Sequence, residues 1–231
     1  MIAHANEEQR FHYWNTRTLY LIDDVLGDDD QYAISLLDQL VELNARDHTA
    51  PILLVIKSGG GSASTMGAII DYIKAIEAPV YAQATGDVAS AAAFILGVCE
   101  KGHRYVSPSA RVMIHQAYRT GGVSGRLDEI DIERNELKAC QDWVYQLLVE
   151  ATGHSVKKLK ADMRKDKWFS AQEAMDYGLA DHVGICPLLL NLPVVPFSDE
   201  VMDQDSELPL VTPLRKKSRT KKVVGKDDKP D

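Results

Sequence analysis

The chain has 231 residues, of which 45% are apolar and 26% are charged, ordinary values for a folded globular protein. At roughly 150 residues per domain, this length predicts one ample domain with additional segments, not two full domains. The composition excludes wholesale disorder, a collagen-like sequence and a small disulfide-stapled scaffold. The longest nearly uncharged apolar run, residues 88–99, is shorter than the roughly 20 residues of a bilayer-spanning helix, so we expect no membrane span.

Charge is distributed unevenly along the sequence. The formal net charge is −8, yet residues 215–231 carry eight Lys or Arg against three Asp. The remaining chain is therefore strongly acidic, and such a surface repels nucleic acid and anionic membranes. The basic run at residues 215–222 could contact either one by itself, although a solvated tail is the simpler interpretation.

Cysteine usage and the N-terminus predict a cytoplasmic location. The three cysteines are widely spaced and form no CxxC pair, which argues against a disulfide framework or a zinc ribbon. The first ten residues carry charged and polar side chains where a signal peptide needs an apolar run. We therefore expect the protein to remain in a reducing compartment.

Strand and helix patterns alternate along the chain. An N-terminal arm is expected at 1–16. The pattern then predicts strands at 18–22, 52–56, 80–84 and 111–115, and helices at 30–44, 63–76 and 88–98 between them. A long helix at 127–150 follows, and a last helix is opened by the capping box at 170–173. This alternation indicates an α/β fold. The long helix exceeds the average of about 12 residues, so we expect it to project and pack against another subunit.

Proline spacing marks the predicted end of the domain. Six of the nine prolines lie beyond residue 186, where the periodicity of apolar residues also fades. We therefore predict a domain over residues 17–184, followed at 185–231 by an extended linker and the basic tail.

Two glycine-containing turns carry the candidate chemistry. The first, at residues 57–63, has three consecutive glycines that let backbone N–H groups approach negative charge closely. It matches neither the Walker A nor the GxGxxG pattern, so a structural turn is an equally good interpretation. The second, at residues 86–92, places Ser90 at a predicted helix start among small residues, as in a nucleophile elbow. For a serine in such a helix, packing or capping is the commoner role.

A serine nucleophile needs a base and a carboxylate that orients the base. Among seven histidines, His115 ends an apolar strand, from which a rigid scaffold can aim an imidazole. A structural role for a lone histidine there is still the commoner case. Asp166 is one candidate carboxylate and Asp87 is another, and composition does not choose between them. No HExxH pattern or His/Cys cluster indicates a metal site.

Five motifs follow one another in order along most of the chain. They are Ser58-Gly59-Gly60-Gly61, Gly86-Asp87-Val88-Ala89-Ser90-Ala91-Ala92-Ala93, Arg111-Val112-Met113-Ile114-His115-Gln116, Asp166-Lys167-Trp168-Phe169-Ser170-Ala171-Gln172-Glu173-Ala174 and Tyr177-Gly178-Leu179-Ala180-Asp181. Together, over about residues 17–184, they resemble the ClpP family, the proteolytic subunits of Clp proteases. One departure is Gly59, which stands where the family usually has proline.

The resemblance implies an α/β fold of the ClpP/crotonase type, built of stacked β-β-α units with a long projecting handle helix. It also implies a serine endopeptidase that works through an acyl-enzyme. By resemblance, Ser90 is the nucleophile, His115 is the general base and Asp166 orients that base. Gly61 and Ala91 would supply the backbone N–H groups of an oxyanion hole.

The resemblance extends to substrate and partners. The segment that contains Gly121, Gly122 and Val123 resembles the glycine-rich strand beside which an unfolded polypeptide is laid as an added strand. The family forms a tetradecamer of two stacked heptameric rings, and an AAA+ Clp ATPase feeds substrate into it. ATP is then used by the partner, so no cofactor is expected in this chain. Because the folded domain is acidic, no nucleic-acid or membrane partner is expected for it.

Three alternatives stay open from the sequence. The first is a peptidase of the same fold that works without an ATPase or in phage-type processing, prompted by an arm unlike the family's usual N-terminus. The second is a crotonase-like acyl-CoA enzyme, which would leave a Ser/His/Asp triad without a purpose. The third is a non-catalytic assembly subunit.

Overall fold

A mostly parallel seven-stranded sheet organises the fold in the computed structural model, which describes residues 14–22 and 30–190, apart from the side chains of 30–33. The strands are β1 (Thr18–Ile22), β2 (Ile52–Ser58), β3 (Val80–Ala89), β4 (Arg104–Val106), β5 (Arg111–Ile114), β6 (Lys167–Ser170) and β7 (His182–Val183). The helices are α1 (Asp30–Arg46), α2 (Ala63–Ala75), α3 (Ala91–Val98), α4 (Leu127–Thr152), α5 (Val156–Asp162), α6 (Ala171–Tyr177) and α7 (Pro187–Leu190).

The long strand β3 pairs with two different neighbours on one side. The main strand order is β1-β2-β3-β4-β7, with every pair parallel. The second half of β3 pairs instead with β5, also in parallel, and β6 adds to β5 in the antiparallel direction. The architecture is thus the expected mixed α/β fold with a sheet dominated by parallel strands.

Strand β2 is buried on both faces, which explains its continuous run of apolar residues. Ile52, Leu54 and Ile56 face the main core, where they are packed with the buried faces of α1, α2, α3 and the second half of α4. Leu53 and Val55 point to the opposite face and are buried there as well. A strand covered on both faces cannot alternate apolar and polar residues.

Strand β3 corrects the sequence prediction around Gly86. We expected the strand to end at residue 84 and a helix to begin at residue 88, but the strand runs to Ala89 and the helix begins at Ala91. Gly86 has a φ of +58° and the ladder with β2 shifts register at this point, so the glycine forms a bulge instead of ending the strand. Val88 and Ala89 then pair with β5.

The packed chain continues beyond the predicted boundary at Gly184. Cys186 is buried against Leu53 and Val55, and Leu188 and Leu189 of α7 pack beside it. The Cys186 backbone N–H also donates to Oε1 of the buried Gln83, at 2.6 Å. Residues 191–231, which include the predicted basic run at 215–222, lie outside the described part of the chain, as does the predicted arm before Trp14.

Helix α4 is as long as its sequence pattern predicted. Its C-terminal half is buried in the core through Val144, Leu147 and Leu148, whereas Leu127 and Ile132 in its first half are 74% and 60% exposed. A helix needs such length only if its first half serves something other than this core. Across residues 14–22 and 30–190, no helix combines the length and apolarity needed to cross a bilayer.

Candidate active site

Three strand ends meet at one edge of the sheet and bring the predicted triad together. Strands β3 and β5 are parallel, so Ser90 and His115, which follow them, lie at the same edge. Strand β6 runs antiparallel to β5 and begins at this edge, directly after Asp166. Because Ile114 pairs with Lys167, His115 faces Asp166 across the two strands.

Ser90 sits in a strained turn between β3 and α3. It is a non-glycine residue with a φ of +56°, a conformation that costs on the order of 1–3 kcal/mol and persists only where its surroundings enforce it. Its backbone N–H donates to the Met113 carbonyl at 2.9 Å, which fixes the turn to β5. The serine side chain therefore stands at the start of α3 as in a nucleophile elbow, although Val88 replaces the usual first glycine of that motif.

Gly60, which the sequence analysis did not single out, holds the first turn against the second. Its φ is +97°, and an added Cβ would lie 2.7 Å from both Ser90 Cβ and the Ala89 carbonyl oxygen. That position would also be 3.0 Å from the Ala91 nitrogen. Only glycine fits where one backbone passes so close to another. The run of three glycines was the signal for this approach, but it did not say which member makes it.

The two predicted oxyanion donors lie on these touching turns. Ala91 begins α3, where N–H groups have no partner within the helix. Gly61 follows Gly60 with a φ of +149°, a conformation that side chains rarely adopt. Neither N–H group donates a hydrogen bond to another described residue, so both are available to a ligand.

His115 contacts the serine hydroxyl directly. Its Nε2 is 2.7 Å from Ser90 Oγ, and its side chain is only 14% exposed. Burial lowers the pKa of His115 below its ordinary value, whereas the charge of Asp166 acts to raise it. The imidazole is therefore neutral at neutral pH and can accept the proton of the serine hydroxyl.

Asp166 lies on the other side of the imidazole at a longer distance. Its Oδ1 is 3.6 Å from His115 Nδ1, beyond hydrogen-bond range, and its side chain is 65% exposed. The rival candidate Asp87 lies within β3, is exposed and has no ion pair with His115. The structure thus brings Asp166, and not Asp87, to the histidine.

A partly buried polar network holds the start of β6, the strand that directly follows Asp166. Next to it, Lys167 donates to Asp162 at 2.8 Å, and Lys158 and the Tyr177 hydroxyl donate to the same carboxylate at 2.6 and 2.7 Å. Burial acts to raise the pKa of Asp162, but these three hydrogen bonds hold it well below the usual range. The charged carboxylate thus anchors the start of β6.

The predicted substrate strand does not form in this chain. Gly121, Gly122 and Val123 lie in an exposed turn that pairs with no strand among the described residues. Gly121 and Gly122 both have left-handed conformations, with φ of +84° and +74°, which a regular ladder does not accommodate. The expected strand conformation is thus not the one seen here, and the role of these three residues in substrate binding stays a prediction.

Metal-binding side chains do not cluster in the described part of the chain. Over the described ranges, no group of three or more His, Cys, Asp or Glu side chains could hold a metal ion. The chemical resources of the site are a serine, a neutral imidazole, a carboxylate and two backbone amides.

Comparison with known proteins identifies the family. The sequence model of the Clp protease family matches residues 7–185, most of the chain. The chain belongs to the Clp protease family. It is 37% identical over 155 residues to the ATP-dependent Clp protease proteolytic subunit 2 of Mycolicibacterium paratuberculosis. These 155 residues cover 67% of this chain and 77% of that protein. The subunit of the same name from Corynebacterium glutamicum is 39% identical over 155 residues, 67% of this chain and 76% of the relative.

Membership in the Clp protease family confirms the resemblance drawn from the five motifs. It makes the chain a peptidase of the proteolytic-subunit type, with the mixed α/β fold described above. Three of the predicted site residues, Ser90, His115 and Asp166, lie close together at one edge of the sheet.

Proposed function

We propose that this Clp protease family member is a serine endopeptidase that hydrolyses unfolded polypeptides with Ser90 as nucleophile. The observation that carries the proposal is the 2.7 Å contact between Ser90 Oγ and His115 Nε2 at a strained strand-to-helix turn. A serine is a weak nucleophile unless an adjacent base takes its proton, and a neutral imidazole in contact is such a base.

In the first half of the reaction, Ser90 Oγ attacks the carbonyl carbon of the scissile peptide bond while His115 Nε2 takes the hydroxyl proton. The carbonyl oxygen becomes negatively charged in the tetrahedral intermediate. His115 then gives its proton to the leaving amine, the C–N bond breaks and an acyl-enzyme remains. In the second half, His115 takes a proton from water, which attacks the ester; when the ester C–O bond breaks, His115 returns this proton to Ser90 Oγ and the acid is released.

The role proposed for Asp166 is to hold the Nδ1–H of His115 and to stabilise the imidazolium. The 3.6 Å separation between Nδ1 and Oδ1 must shorten for a hydrogen bond to form. Hydrogen bonds of this kind often tighten only when substrate is bound. The anchored start of β6 restricts Asp166 to the vicinity of the histidine.

Gly61 and Ala91 are proposed to donate their N–H groups to the oxyanion. Both residues lie on the turns that Gly60 brings into contact. The first N–H groups of a helix carry partial positive charge, which favours negative charge beside Ala91. Removing one such donor typically costs about 100- to 1,000-fold in rate.

Substrate, assembly and location follow from family membership and the exposed parts of the chain. We infer that an extended polypeptide lies beside the segment of Gly121, Gly122 and Val123 and pairs with it as an added strand. The exposed first half of α4 fits a role in a tetradecamer of two stacked heptameric rings in the cytoplasm. The two relatives are named as subunits of an ATP-dependent protease, which supports an AAA+ ATPase as partner and user of ATP.

Covalent labelling tests the proposal directly. The assembled protein, Ser90→Ala and His115→Ala are each incubated with a fluorophosphonate, and their intact masses are measured. We expect a single adduct on the parent and none on either variant, because labelling needs both the hydroxyl and its base. Labelling of Ser90→Ala at the parent's rate would overturn the assignment. An unlabelled parent that binds acyl-CoA saturably would favour the crotonase-like alternative.

A further inference from the structure

An open basic depression of the surface, called the cavity below, lies beside His115. Its volume is about 660 Å³, within the range that holds a peptide side chain or a small ligand. One wall is formed by Gln116 and Ala117, directly after His115, and the others by α4 and by residues at the end of α5 and just after it. The site described above does not include this space.

The lining of the cavity is strongly cationic. Four basic side chains and one carboxylate line it: Arg134, Lys138, Lys160, Arg164 and Asp142. Arg134 Nη1 lies 3.8 Å from Asp131 Oδ1. Lys138, Lys160 and Arg164 have no carboxylate partner within the described ranges. The chain as a whole has a net charge of −8, so a cluster of unpaired cations is a local exception to its charge. Such a cluster attracts negatively charged groups.

The cavity is close enough to the reacting groups to receive a substrate side chain. Ala117 follows His115 by two residues, so their Cα atoms are at most about 7 Å apart. An extended peptide advances about 3.3 Å per residue. The wall formed by Gln116 and Ala117 therefore lies within about two residues' length of a bond held at Ser90 Oγ, which is 2.7 Å from His115 Nε2.

Gln141 links the cavity wall to helix α4. The Ala117 backbone N–H donates to its Oε1 at 2.6 Å. Its Nε2 is buried without an acceptor among the described residues, which is unfavourable for an amide donor. The Gln141 side chain thus holds the segment after His115 against α4, and the substrate contacts proposed below rest on the basic side chains of the cavity.

We propose that this cavity is a specificity site for an acidic side chain of the polypeptide substrate, within two residues of the cleaved bond. The proposal rests on the peptidase function proposed above. The cations would pair with a substrate Asp or Glu, and the attraction would be weakened by salt because the basic side chains are exposed.

The test uses a set of quenched-fluorescent peptides that share one parent sequence. In each peptide, one of the two residues before or the two residues after the cleaved bond is replaced by Glu, Gln or Lys. At one of these four positions, we expect kcat/KM of the assembled protein to be about fivefold or more higher for Glu than for Gln, and lowest for Lys. The double variant Lys138→Glu, Lys160→Glu is expected to favour Lys over Glu at that position. The single variant Lys160→Gln should reduce the preference and tests the same point if the double variant does not fold.

Lys157→Glu is the matched control, because Lys157 is an exposed residue of α5 that does not line the cavity. This variant should keep the parent's preference. Equal cleavage of Glu and Gln peptides at all four positions would overturn the cavity proposal while leaving the peptidase in place. Cleavage by Ser90→Ala at the parent's rate would instead remove the function on which it rests.

Discussion

At the scale of single residues, Gly60 connects the glycine turn to the serine turn. Its backbone passes so close to Ser90 and Ala89 that a methyl group has no space, whereas nothing lies within 4 Å of the corresponding position on Gly59. Two adjacent glycines therefore have different roles. The proposed oxyanion donors Gly61 and Ala91 keep their relative positions only if Gly60 keeps its own.

We expect Gly60→Ala to slow fluorophosphonate labelling and peptide cleavage by about 100-fold, the loss that follows displacement of an oxyanion donor. Gly59→Ala should remain close to the parent, since an added methyl group meets no atom there. Labelling rates of the two variants and their thermal unfolding midpoints would be measured together. Similar labelling rates for Gly60→Ala and the parent would show that the close approach does not position the site.

The pH dependence of cleavage reports on His115. Burial lowers its pKa and the Asp166 charge raises it, with a net value below the ordinary 6.5. Activity needs the neutral imidazole, so kcat/KM should rise with pH through an apparent pKa below 6.5. Asp166→Asn removes the raising charge and should move this limb to still lower pH.

The same substitution should lower kcat by up to about 10⁴-fold, because the imidazolium then loses its carboxylate partner. A pH profile of kcat/KM for the parent and Asp166→Asn measures both effects. If the limb moves to higher pH in the variant, the electrostatic role of Asp166 is wrong.

At the scale of helices and strands, the buried pair Arg104–Asp181 joins several elements. Arg104 is 3% exposed, and its guanidinium bonds both oxygens of Asp181 at 2.8 and 2.6 Å. It also donates to the carbonyls of Gly97 and Ala151, near the C-terminal ends of α3 and α4. One side chain thus satisfies carbonyls of two helices and fixes β4 beside β7.

We expect Arg104→Met to destabilise the protein by about 3–5 kcal/mol, because it leaves the largely covered Asp181 carboxylate without its cation and the Gly97 and Ala151 carbonyls without their donor. The exposed pair Lys74–Glu150 offers the control, and Lys74→Met should cost less than about 1 kcal/mol. Denaturant unfolding of both variants gives the comparison, and equal losses would show that burial of the first pair is unimportant.

Acid should remove part of this stability. Burial acts to raise the pKa of Asp181, but hydrogen bonds and the charge of Arg104 hold it below the usual value. The contribution is therefore present above the unfolded pKa of about 3.9 and is lost as the pH falls through the lower folded value.

Sequence patterns predicted long elements well and short ones poorly. The capping box at Ser170 appears where the sequence placed it, because local side-chain and backbone chemistry determines helix ends, and the left-handed Gly178 closes the same helix. Strands β4, β6 and β7 have only two to four residues, too few for a periodic pattern, and are specified by the neighbours with which they pair.

Some residues of the candidate site could be predicted from local sequence, whereas others depend on contacts between distant parts of the chain. Ser90 carried a local signal, a serine among small residues between a strand and a helix. The choice of Asp166 over Asp87 depended on the antiparallel pairing of β5 with β6, which brings together residues 51 positions apart. Only the family resemblance could make that choice from the sequence, since spacing along the chain contains no such contact.

At the scale of the whole molecule, the exposed first half of α4 is a feature that the fold of one chain does not explain. Leu127 and Ile130 lie one turn apart on this helix and are 74% and 37% exposed. Exposed apolar residues grouped in this way are typical of a surface that another protein covers. The proposed pairing of two rings through α4 would cover them.

We expect the double variant Leu127→Glu, Ile130→Glu to run at half of the parent's mass in size-exclusion chromatography with light scattering, since charges buried between rings repel one another and remain unpaired. Asn135→Glu adds a charge at an exposed polar position of the same helix and should keep the parent's mass. The folded content of each variant is compared by circular dichroism, because the substituted side chains lie outside the core of the chain. A double variant with the parent's mass would exclude this face of α4 from the contact between rings, and the assembly would then have to bury a different surface.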